Sequence, residues 1–463
     1  MALRVMVGEA VAGVDARVVV ERTPAGEVVD AHLDLSILPR LEPLLAGRPV
    51  EQVPPLVERL CGVCPAAHHL AGVAALEALA GVGPIPAEAR RLRRLLHHGS
   101  VLTMHAHAFF AAGREQALAL RRLGKAAMAA AGSPGHFPVS AVVGGVAGPL
   151  VADAAEGCVR DAPASLALAR DLFDWALGAP SGRGAENLAD GIGRGAGFGG
   201  FAGADVALVD GRGRLDPLGD RLRAVGPGGA VIVAGAAAGE WDRLIAEGRP
   251  GEAASRPRLL AGGAPGGHYR VGPTAQLRVA APATPVAAEL AAEWRRRGGG
   301  ALAARAVMAA ASVEAIAELA DGGPGAGDLV AAGGASRPAE AAGAAGAAGA
   351  AGAAGAAGAA GRVGVGWVDG ARGLLVHRYR VGGSGMVEEA LVLTPTAQNE
   401  YWLSRLLVEA LAAGAAGAAG AAGGPRGADL EGAIREADPC LPCVAAPAGR
   451  MGVVVETVLA GGE

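Results

Sequence analysis

Two Cys-x-x-Cys motifs stand near opposite ends of this chain, Cys61-Gly62-Val63-Cys64 and Cys440-Leu441-Pro442-Cys443. Thiolates are soft ligands, and four of them can hold a soft or borderline transition metal. Local zinc modules usually place their second cysteine pair within a few tens of residues of the first, whereas most of the 463 residues separate these two pairs. A shared site must therefore be assembled by the whole fold, which predicts a buried metal centre rather than a zinc finger.

The first motif is predicted to open a helix. Pro65 suits a first helical turn, because its missing N–H has no partner to lose there. Cys64 would then lie at the helix N-terminus, where the helix dipole favours a thiolate. His68 lies four residues further on, over the same helix face, and the apolar pattern continues to about Leu79.

The other patterns predict long helices around the site and β-hairpins at the periphery. Helices are predicted over residues 38–47, 87–122 and 397–411. Strands are predicted over residues 17–20, 28–33, 206–209, 230–234 and 453–459, with a hairpin over 364–380. The histidines of the second helix, His97, His98, His105 and His107, are predicted to pack against the central helices rather than to bind a metal. Cys158, the fifth cysteine, is predicted to be a small core residue.

Composition indicates one large domain of the α+β class, spanning residues 1–463. The chain is 51% hydrophobic, so it can build a large core. A net charge of −4 and the lack of a basic run argue against a nucleic-acid partner. No apolar stretch of about twenty residues predicts a membrane span. Ala-Ala-Gly repeats at about 338–361 and 412–427 are interpreted as loop insertions, and the glycine run at 191–195 as a turn.

Two further compositional features concern the compartment. No segment has the pattern of a secretory signal, and an odd number of cysteines fits a disulfide scaffold poorly. We therefore expect synthesis in the reducing cytoplasm. Export or membrane association through a partner stays open.

Both motifs, in their surroundings, resemble the signatures of nickel–iron hydrogenase large subunits. The N-terminal signature is Glu58-Arg59-Leu60-Cys61-Gly62-Val63-Cys64-Pro65-Ala66-Ala67-His68, and the C-terminal one is Ile434-Arg435-Glu436-Ala437-Asp438-Pro439-Cys440-Leu441-Pro442-Cys443. Weaker blocks lie between them in the family's order, at residues 136–145, 271–275, 370–377 and 394–399. The resemblance runs from about residue 27 to the end, apart from the insertions.

The resemblance implies a nickel ion bound by four thiolates. Cys61 and Cys440 would be its terminal ligands, while Cys64 and Cys443 would bridge to an iron that carries carbonyl and cyanide. The implied activity is the reversible heterolytic cleavage of dihydrogen into protons and electrons. Cys440 would take the proton, because metal coordination holds a thiolate deprotonated but still basic.

The resemblance also assigns roles around the metals. Arg372 would lie over the open metal face, where a fixed guanidinium can polarise a bound molecule, and Asp438 would orient it. His68 would donate a hydrogen bond to a bridging sulfur. Pro395 and Thr396 would line the pocket of the diatomic ligands.

A magnesium ion and partner proteins follow from the same resemblance. Glu42 precedes Cys61 by nineteen positions, the spacing at which the family has an acidic ligand to a structural magnesium. Electrons would leave through an iron–sulfur small subunit, because this chain has no cysteines to spare for clusters. Maturation proteins are the other expected partners.

Two departures from the family pattern keep other hypotheses open. Gly13 stands where the family has the glutamate of a Glu-Gly-His block, with Asp15 close by and Glu9 further upstream. Ala446 stands where the family has a histidine after the last cysteine. An accessory protein that carries the iron–diatomic unit during maturation would need the thiolates but neither of these features. A zinc-stabilised protein would explain the cysteines but not the intervening blocks.

Overall fold

The computed structural model describes most of the chain. The described residues are 16–35, 42–110, 112–178, 201–249, 255–323, 325, 327–331, 361–418, 427–445 and 450–460. Glu9, Gly13, Asp15 and Ala446 lie outside these ranges, as do the glycine run at 191–195 and nearly all of the first Ala-Gly repeat.

Helices and strands alternate irregularly along the chain. The helices are α1 Glu42–Leu45, α2 Val53–Leu60, α3 Pro65–Ala80, α4 Ala87–Ala108, α5 Arg114–Ala130, α6 Ala152–Gly178, α7 Trp241–Leu244, α8 Pro273–Val279, α9 Pro285–Arg297, α10 Ala301–Ala320, α11 Pro395–Gln398, α12 Glu400–Ala418 and α13 Gly427–Ala437. The strands are β1 Ala16–Arg22, β2 Val28–Leu33, β3 Ala141–Val142, β4 Gly145–Val146, β5 Ala204–Val209, β6 Arg221–Val225, β7 Val231–Ala237, β8 Ile245–Ala246, β9 Arg258–Leu259, β10 Tyr269–Arg270, β11 Arg362–Gly370, β12 Gly373–Val381, β13 Val387–Leu393 and β14 Val453–Leu459.

Long helices form the largest core of the protein. Helix α4 packs against α5 and α10, and α6 packs against the same two helices. Helix α10 is rich in alanine, apolar on nearly every side and almost entirely buried, as expected of a helix at the centre of a large protein. The small side chains of these helices allow close packing, which gives the site a rigid wall.

Three sheets of three or four strands accompany the helices, in the orders β14-β1-β2, β10-β5-β6-β7 and β11-β12-β13. In the first, β1 pairs antiparallel with β2 and parallel with β14, so that Ala16 lies opposite Val453 and Arg22 opposite Leu459. This pairing brings two regions that are remote in sequence into one sheet. It therefore helps to bring the two cysteine motifs together.

The hairpin β11–β12 packs directly against α3, the helix that follows the first cysteine motif. The contact is close because β11 carries glycine where it crosses the helix. A Cβ on Gly366 would lie 2.1 Å from the carbonyl oxygen of Ala71 and 2.3 Å from the backbone nitrogen of Ala75. Such distances require the backbone to shift.

We therefore expect Gly366→Ala to lower the free energy of unfolding by about 1–3 kcal/mol, the usual cost of overpacking. Denaturant unfolding of the purified chain measures this difference. Gly211→Ala is the matched control, because a Cβ at Gly211 would meet nothing within 4 Å. Equal losses of stability in both variants would contradict the close packing of β11 on α3.

The α+β class predicted from the sequence is confirmed, and so are the hairpin β1–β2, the helix α3 and the strand β14. Residues 87–122, for which one or two helices are predicted, form parts of the two helices α4 and α5. Within the second repeat the predicted loop is wrong up to Ala418, because α12 continues that far. Alanine has the highest helix propensity, and extending an existing helix needs no new nucleus, so the extension tolerates glycines that cost about 1 kcal/mol each. In the part of the chain that is described, no helix is long and apolar enough to cross a membrane.

Candidate metal centre

The first motif forms a tight turn between two helices. Cys61 directly follows the end of α2, and Cys64 directly precedes the first turn of α3. Their sulfur atoms lie 2.9 Å apart, and the backbone N–H of Cys64 donates to Cys61 Sγ at 3.4 Å. The turn therefore presents two thiols side by side.

The second motif is brought to the first by a sharp turn at the end of α13. Asp438 adopts φ +47°, a left-handed conformation that aspartate tolerates better than most residues. The backbone N–H of Cys440 then donates to Thr396 Oγ1 at 2.7 Å. This places the Cys440 thiol close enough to Cys61 and Cys64 to shift the pKa values of both. Thiols from the two ends of the chain thus converge.

Cys443 is the predicted ligand that the structure does not bring into contact with the others. It lies in the short 3-10 helix Pro442–Ala445, and its side chain is 4% exposed. Within the described residues, its thiol makes no hydrogen bond to the other three. Its role as a ligand stays a prediction.

Hydrogen bonding distributes the charge unequally among the three converging thiols. Hydrogen bonds from Cys440 and Cys64 lower the pKa of Cys61, with a smaller contribution from His68. Hydrogen bonds with Cys440 and Cys61, together with burial, raise the pKa of Cys64. The hydrogen bond with Cys61 raises the pKa of Cys440 to about 12. The helix dipole alone favours a thiolate at Cys64, but the neighbouring thiols outweigh it and the anion forms at Cys61. This cluster is a soft, anionic donor set that fits a nickel or iron ion.

Two arginines hold the acidic residue beside the thiols. Arg372, in the turn between β11 and β12, lies with its Nε 3.1 Å from the carbonyl oxygen and 3.4 Å from Oδ2 of Asp438. Arg305, on α10, lies with its Nε 3.6 Å from the same oxygen, Asp438 Oδ2. Burial opposes the charge on Arg372, but Asp438 and the cysteine sulfurs outweigh burial and raise its pKa above the ordinary value. Arg372 is therefore a permanent cation next to the thiols.

A small recess opens beside this ion pair and is lined by Arg305, Arg372, Asp438, Thr274 and Asn399 among others. The Nη1 of Arg372 and the hydroxyl of Thr274 are buried, and neither has a hydrogen-bond partner among the described residues. The recess can thus offer donors to a small molecule, next to a cluster of sulfur atoms.

Comparison with known proteins agrees with this geometry. A family model described as nickel-dependent hydrogenase matches residues 40–112. One F420-non-reducing hydrogenase subunit from Methanocaldococcus jannaschii is 32% identical over 173 residues, which cover 32% of this chain and 41% of that protein. The corresponding F420-non-reducing hydrogenase subunit from Methanothermobacter thermautotrophicus is 26% identical over 478 aligned residues, which cover 92% of this chain and 91% of that protein.

The fold is similar to that of a solved NAD⁺-reducing [NiFe]-hydrogenase in its H2-reduced state, with a TM-score of 0.73 and 26% identity over 92% of this chain and 97% of that one. Over nearly its whole length the chain is thus similar to subunits of nickel-dependent hydrogenases. The resemblance predicted from the two motifs is thereby confirmed.

The weaker sequence blocks contact one another around the site. The Asn399 side chain accepts from the N–H of Val271 at 2.8 Å and donates to its carbonyl oxygen at 3.2 Å. The neighbouring Gln398 donates to the carbonyl oxygen of Leu374. These bonds fix the hairpin turn that carries Arg372.

His68 lies where the family signature predicts, against the first motif. One of its ring nitrogens and the sulfurs of Cys61 and Cys64 all lie within 4.8 Å of one another. His68 helps to lower the pKa of Cys61, and its hydrogen bond to a bridging sulfur stays a prediction. The other interaction of His68 is with His377, at 3.0 Å between Nδ1 and Nε2.

The remaining predicted site residues divide into near and remote ones. Pro395 opens α11, which Thr394 caps, and this short helix places Thr396 against Cys440. Glu42 lies half-buried in α1, which packs on β13. Among the described residues it joins no group of three ligands that could hold an ion, so the magnesium site stays a prediction.

Arg305 is the residue of the site that sequence reasoning missed. It is 7% exposed, and its Nη2 donates to the carbonyl oxygens of Arg435 and Glu436 at 3.0 Å each. Those carbonyls close the C-terminal end of α13, just before the second cysteine motif. The sequence did contain a signal, because Arg305 is the single basic residue of the alanine-rich α10. A buried arginine needs polar partners, so its position indicates a polar site beside this helix.

Of the four histidines of α4, His97 and His105 are buried and His98 is half-buried among the helices, as predicted. His107 is exposed, so the predicted packing is wrong for this residue. His97 is 2% and His105 is 3% exposed. Burial lowers the pKa of His97 well below its ordinary value, that of His98 to about 4 and that of His105 to about 3. These imidazoles are therefore neutral in the folded protein.

An acid-sensitive stability follows from these histidines. Their folded-state pKa values lie below the unfolded value near 6.5, so the unfolded chain binds more protons between about pH 6.5 and 4. We expect the free energy of unfolding to fall as the pH drops through this window, by about 1.4 kcal/mol per pH unit for each such histidine. In His97→Gln the dependence of the unfolding free energy on pH should become less steep by the contribution of one histidine, about 1.4 kcal/mol per pH unit. Denaturant unfolding at several pH values measures this slope. The exposed His136→Gln is the control, and equal slopes in all three proteins would contradict the burial of a neutral His97.

Proposed function

We propose that this chain is the subunit that cleaves dihydrogen reversibly into protons and electrons, at a nickel–iron centre held by Cys61, Cys64, Cys440 and Cys443. The observation that carries the proposal is the convergence of thiols from both motifs beside a permanently charged arginine. Thiolates are the ligands that suit such metals. The two methanogen relatives are hydrogenase subunits, so they lend no support to the accessory-protein and zinc-protein alternatives.

When bound, the nickel–iron centre would supply an electron-accepting metal that polarises dihydrogen. Cys440 Sγ would be the atom that holds the released proton. The hydrogen bond from the backbone N–H of Cys440 to Thr396 fixes the backbone at this residue, and proton transfer requires an acceptor that is positioned in this way.

Arg372 orients the reacting molecule. Its Nε and Nη2 are engaged by Asp438, which fixes the plane of the guanidinium. Its Nη1 is left without a partner among the described residues, so this donor is available to the contents of the recess. Arg305 forms an ion pair with the same carboxylate and thereby helps to hold Asp438 beside Arg372.

The finer features of the centre belong to the same proposal. The iron carries carbonyl and cyanide ligands, and Pro395 and Thr396 line the space beside them. Glu42 binds a magnesium ion. Support for the first comes from the contact of Thr396 with Cys440, and support for the second comes from the spacing between Glu42 and Cys61 in the sequence.

Electron transfer requires a partner. We propose an iron–sulfur small subunit, because four of the five cysteines are assigned to the metal centre and iron–sulfur clusters need thiolates of their own. Maturation proteins would insert the metals. The proposed compartment is the reducing cytoplasm, where thiols such as the free cysteines of this chain persist.

The test is to purify the chain with its partner and to measure nickel, iron and dye-linked hydrogen oxidation. Nickel and iron in equal amounts, together with activity, are the expected result. The Cys158→Ala variant is the control, because this buried residue of α6 takes no part in the cluster, and it should keep both metals. Iron without nickel and without activity would instead favour the accessory role, and bound zinc would favour a structural one.

A further inference from the structure

A line of hydrogen bonds runs from the metal centre into the core of the protein. Tyr379 Oη lies 2.5 Å from His377 Nδ1, and His377 Nε2 lies 3.0 Å from His68 Nδ1. The remaining ring nitrogen of His68, Nε2, is the one left for the sulfur of Cys61. All three side chains are buried, with Tyr379 and His377 at 0% and His68 at 2% exposure.

The hydroxyl of Tyr379, at the far end of this line, decides which atoms donate and which accept in its hydrogen bonds. Among the described residues, the hydroxyl of Tyr379 has a single hydrogen-bond partner, His377 Nδ1. A buried O–H group that donates to nothing is costly, so this hydroxyl must be the donor and His377 Nδ1 the acceptor. A neutral imidazole has one donor and one acceptor nitrogen, so the proton of His377 lies on Nε2.

The hydrogen bond between the two imidazoles runs in the same direction. His377 Nε2–H donates to Nδ1 of His68, which must then be the acceptor. The proton of His68 therefore lies on Nε2, the nitrogen that faces the cysteine sulfur. In the opposite direction, the Tyr379 hydroxyl would lack an acceptor.

Both distant members are held in the neutral forms that this reasoning requires. Burial lowers the pKa of the His377 imidazole well below its ordinary value, so the ring carries no second proton. Burial raises the pKa of the Tyr379 hydroxyl, so it keeps its proton.

We propose that Tyr379 is a positioning residue that fixes the tautomers of His377 and His68, so that His68 presents an N–H donor to the sulfur of Cys61. The hydrogen-bond direction stands on the geometry alone, whereas its value for catalysis rests on the function proposed above. A hydrogen-bond donor aimed at a metal-binding sulfur lowers the electron density of that sulfur. Residues that do not bind the metal but hydrogen-bond to its surroundings commonly tune a metal site in this way.

The test is nitrogen-15 NMR of the full chain, metal-free and labelled at histidine, in which the pattern of ring couplings distinguishes the two tautomers. His377→Gln identifies the signals of His377 by their loss. We expect both His377 and His68 to be Nε2–H tautomers in the wild-type chain. In Tyr379→Phe, which removes only the hydroxyl oxygen, the single His377 tautomer should be lost and a mixture with the Nδ1–H form should appear.

Tyr269→Phe is the matched control, because Tyr269 is equally buried and its hydroxyl bonds to Gln398 rather than to a histidine. It should leave the His377 and His68 signals unchanged. An Nδ1–H tautomer of His377 in the wild-type chain would overturn the proposal before any variant is made, and so would an unaltered tautomer in Tyr379→Phe. Neither outcome depends on hydrogen oxidation, so the proposed function and this inference can fail separately.

Discussion

The Cys440→Ser variant is expected to lose hydrogen oxidation almost completely, with kcat lowered by about 10³-fold or more, within the range measured when a positioned proton acceptor is removed. A serine hydroxyl is a poor ligand for a soft metal and a weak base at neutral pH. The backbone hydrogen bond from residue 440 to Thr396 Oγ1 does not involve the sulfur, so the loop should keep its conformation. The measurement is dye-linked turnover of the purified complex, together with its nickel content.

Cys158→Ala provides the comparison for this variant. Its thiol is fully buried in α6 within the helical core, so its loss affects packing and not the metal site. Turnover per nickel should therefore remain near the wild-type value. If Cys440→Ser kept both nickel and turnover, the second motif could not be part of the active centre.

The Arg372→Lys variant is expected to keep its metals but to lower kcat by about 10²-fold. A lysine keeps the positive charge, but its single ammonium cannot engage Asp438 with two nitrogens while leaving a third free. The loss would therefore show how much the fixed plane of the guanidinium contributes. Kinetics of the purified complex, with metal analysis of the same sample, separates this effect from incomplete assembly.

Arg378→Lys is the matched control for the arginine variant. Arg378 is on the adjoining strand, β12, is similarly buried and forms ion pairs with Asp242 and Glu389. It should lose some stability and little turnover. Equal turnover in Arg372→Lys and the wild type would contradict the role of Arg372 over the recess.

The local elements were predictable wherever the side-chain pattern had a clear period. Alternation located β1, β2 and the hairpin β11–β12, and a cysteine followed by Pro65 located the start of α3. By contrast, β13 carries the adjacent glutamates Glu388 and Glu389, which break the alternation. Helix α6 contains Pro163, which disfavours a helix by about 3 kcal/mol. Packing against α5 and α10 overrides that preference, and a sequence does not display packing.

The site was predictable as a set of residues but not as an arrangement. The motifs named the thiols, Arg372 and Asp438, yet the pairing of β1 with β14 that helps to bring the two motifs together depends on the whole fold. Arg305 carried no motif. The bond of His377 to His68 joins residues 309 positions apart. Long-range contacts of this kind are what the sequence left undetermined.

The most direct test of the four-thiolate metal centre concerns Cys443, the predicted ligand whose thiol makes no hydrogen bond to the other three among the described residues. Nickel X-ray absorption of the purified complex measures the number of sulfur atoms around the metal. We predict that the nickel ion is coordinated by the sulfur atoms of Cys61, Cys64, Cys440 and Cys443, and that it binds one sulfur atom fewer in Cys443→Ser. A nickel ion surrounded by nitrogen and oxygen, or a sulfur count that Cys443→Ser leaves unchanged, would contradict a four-thiolate centre.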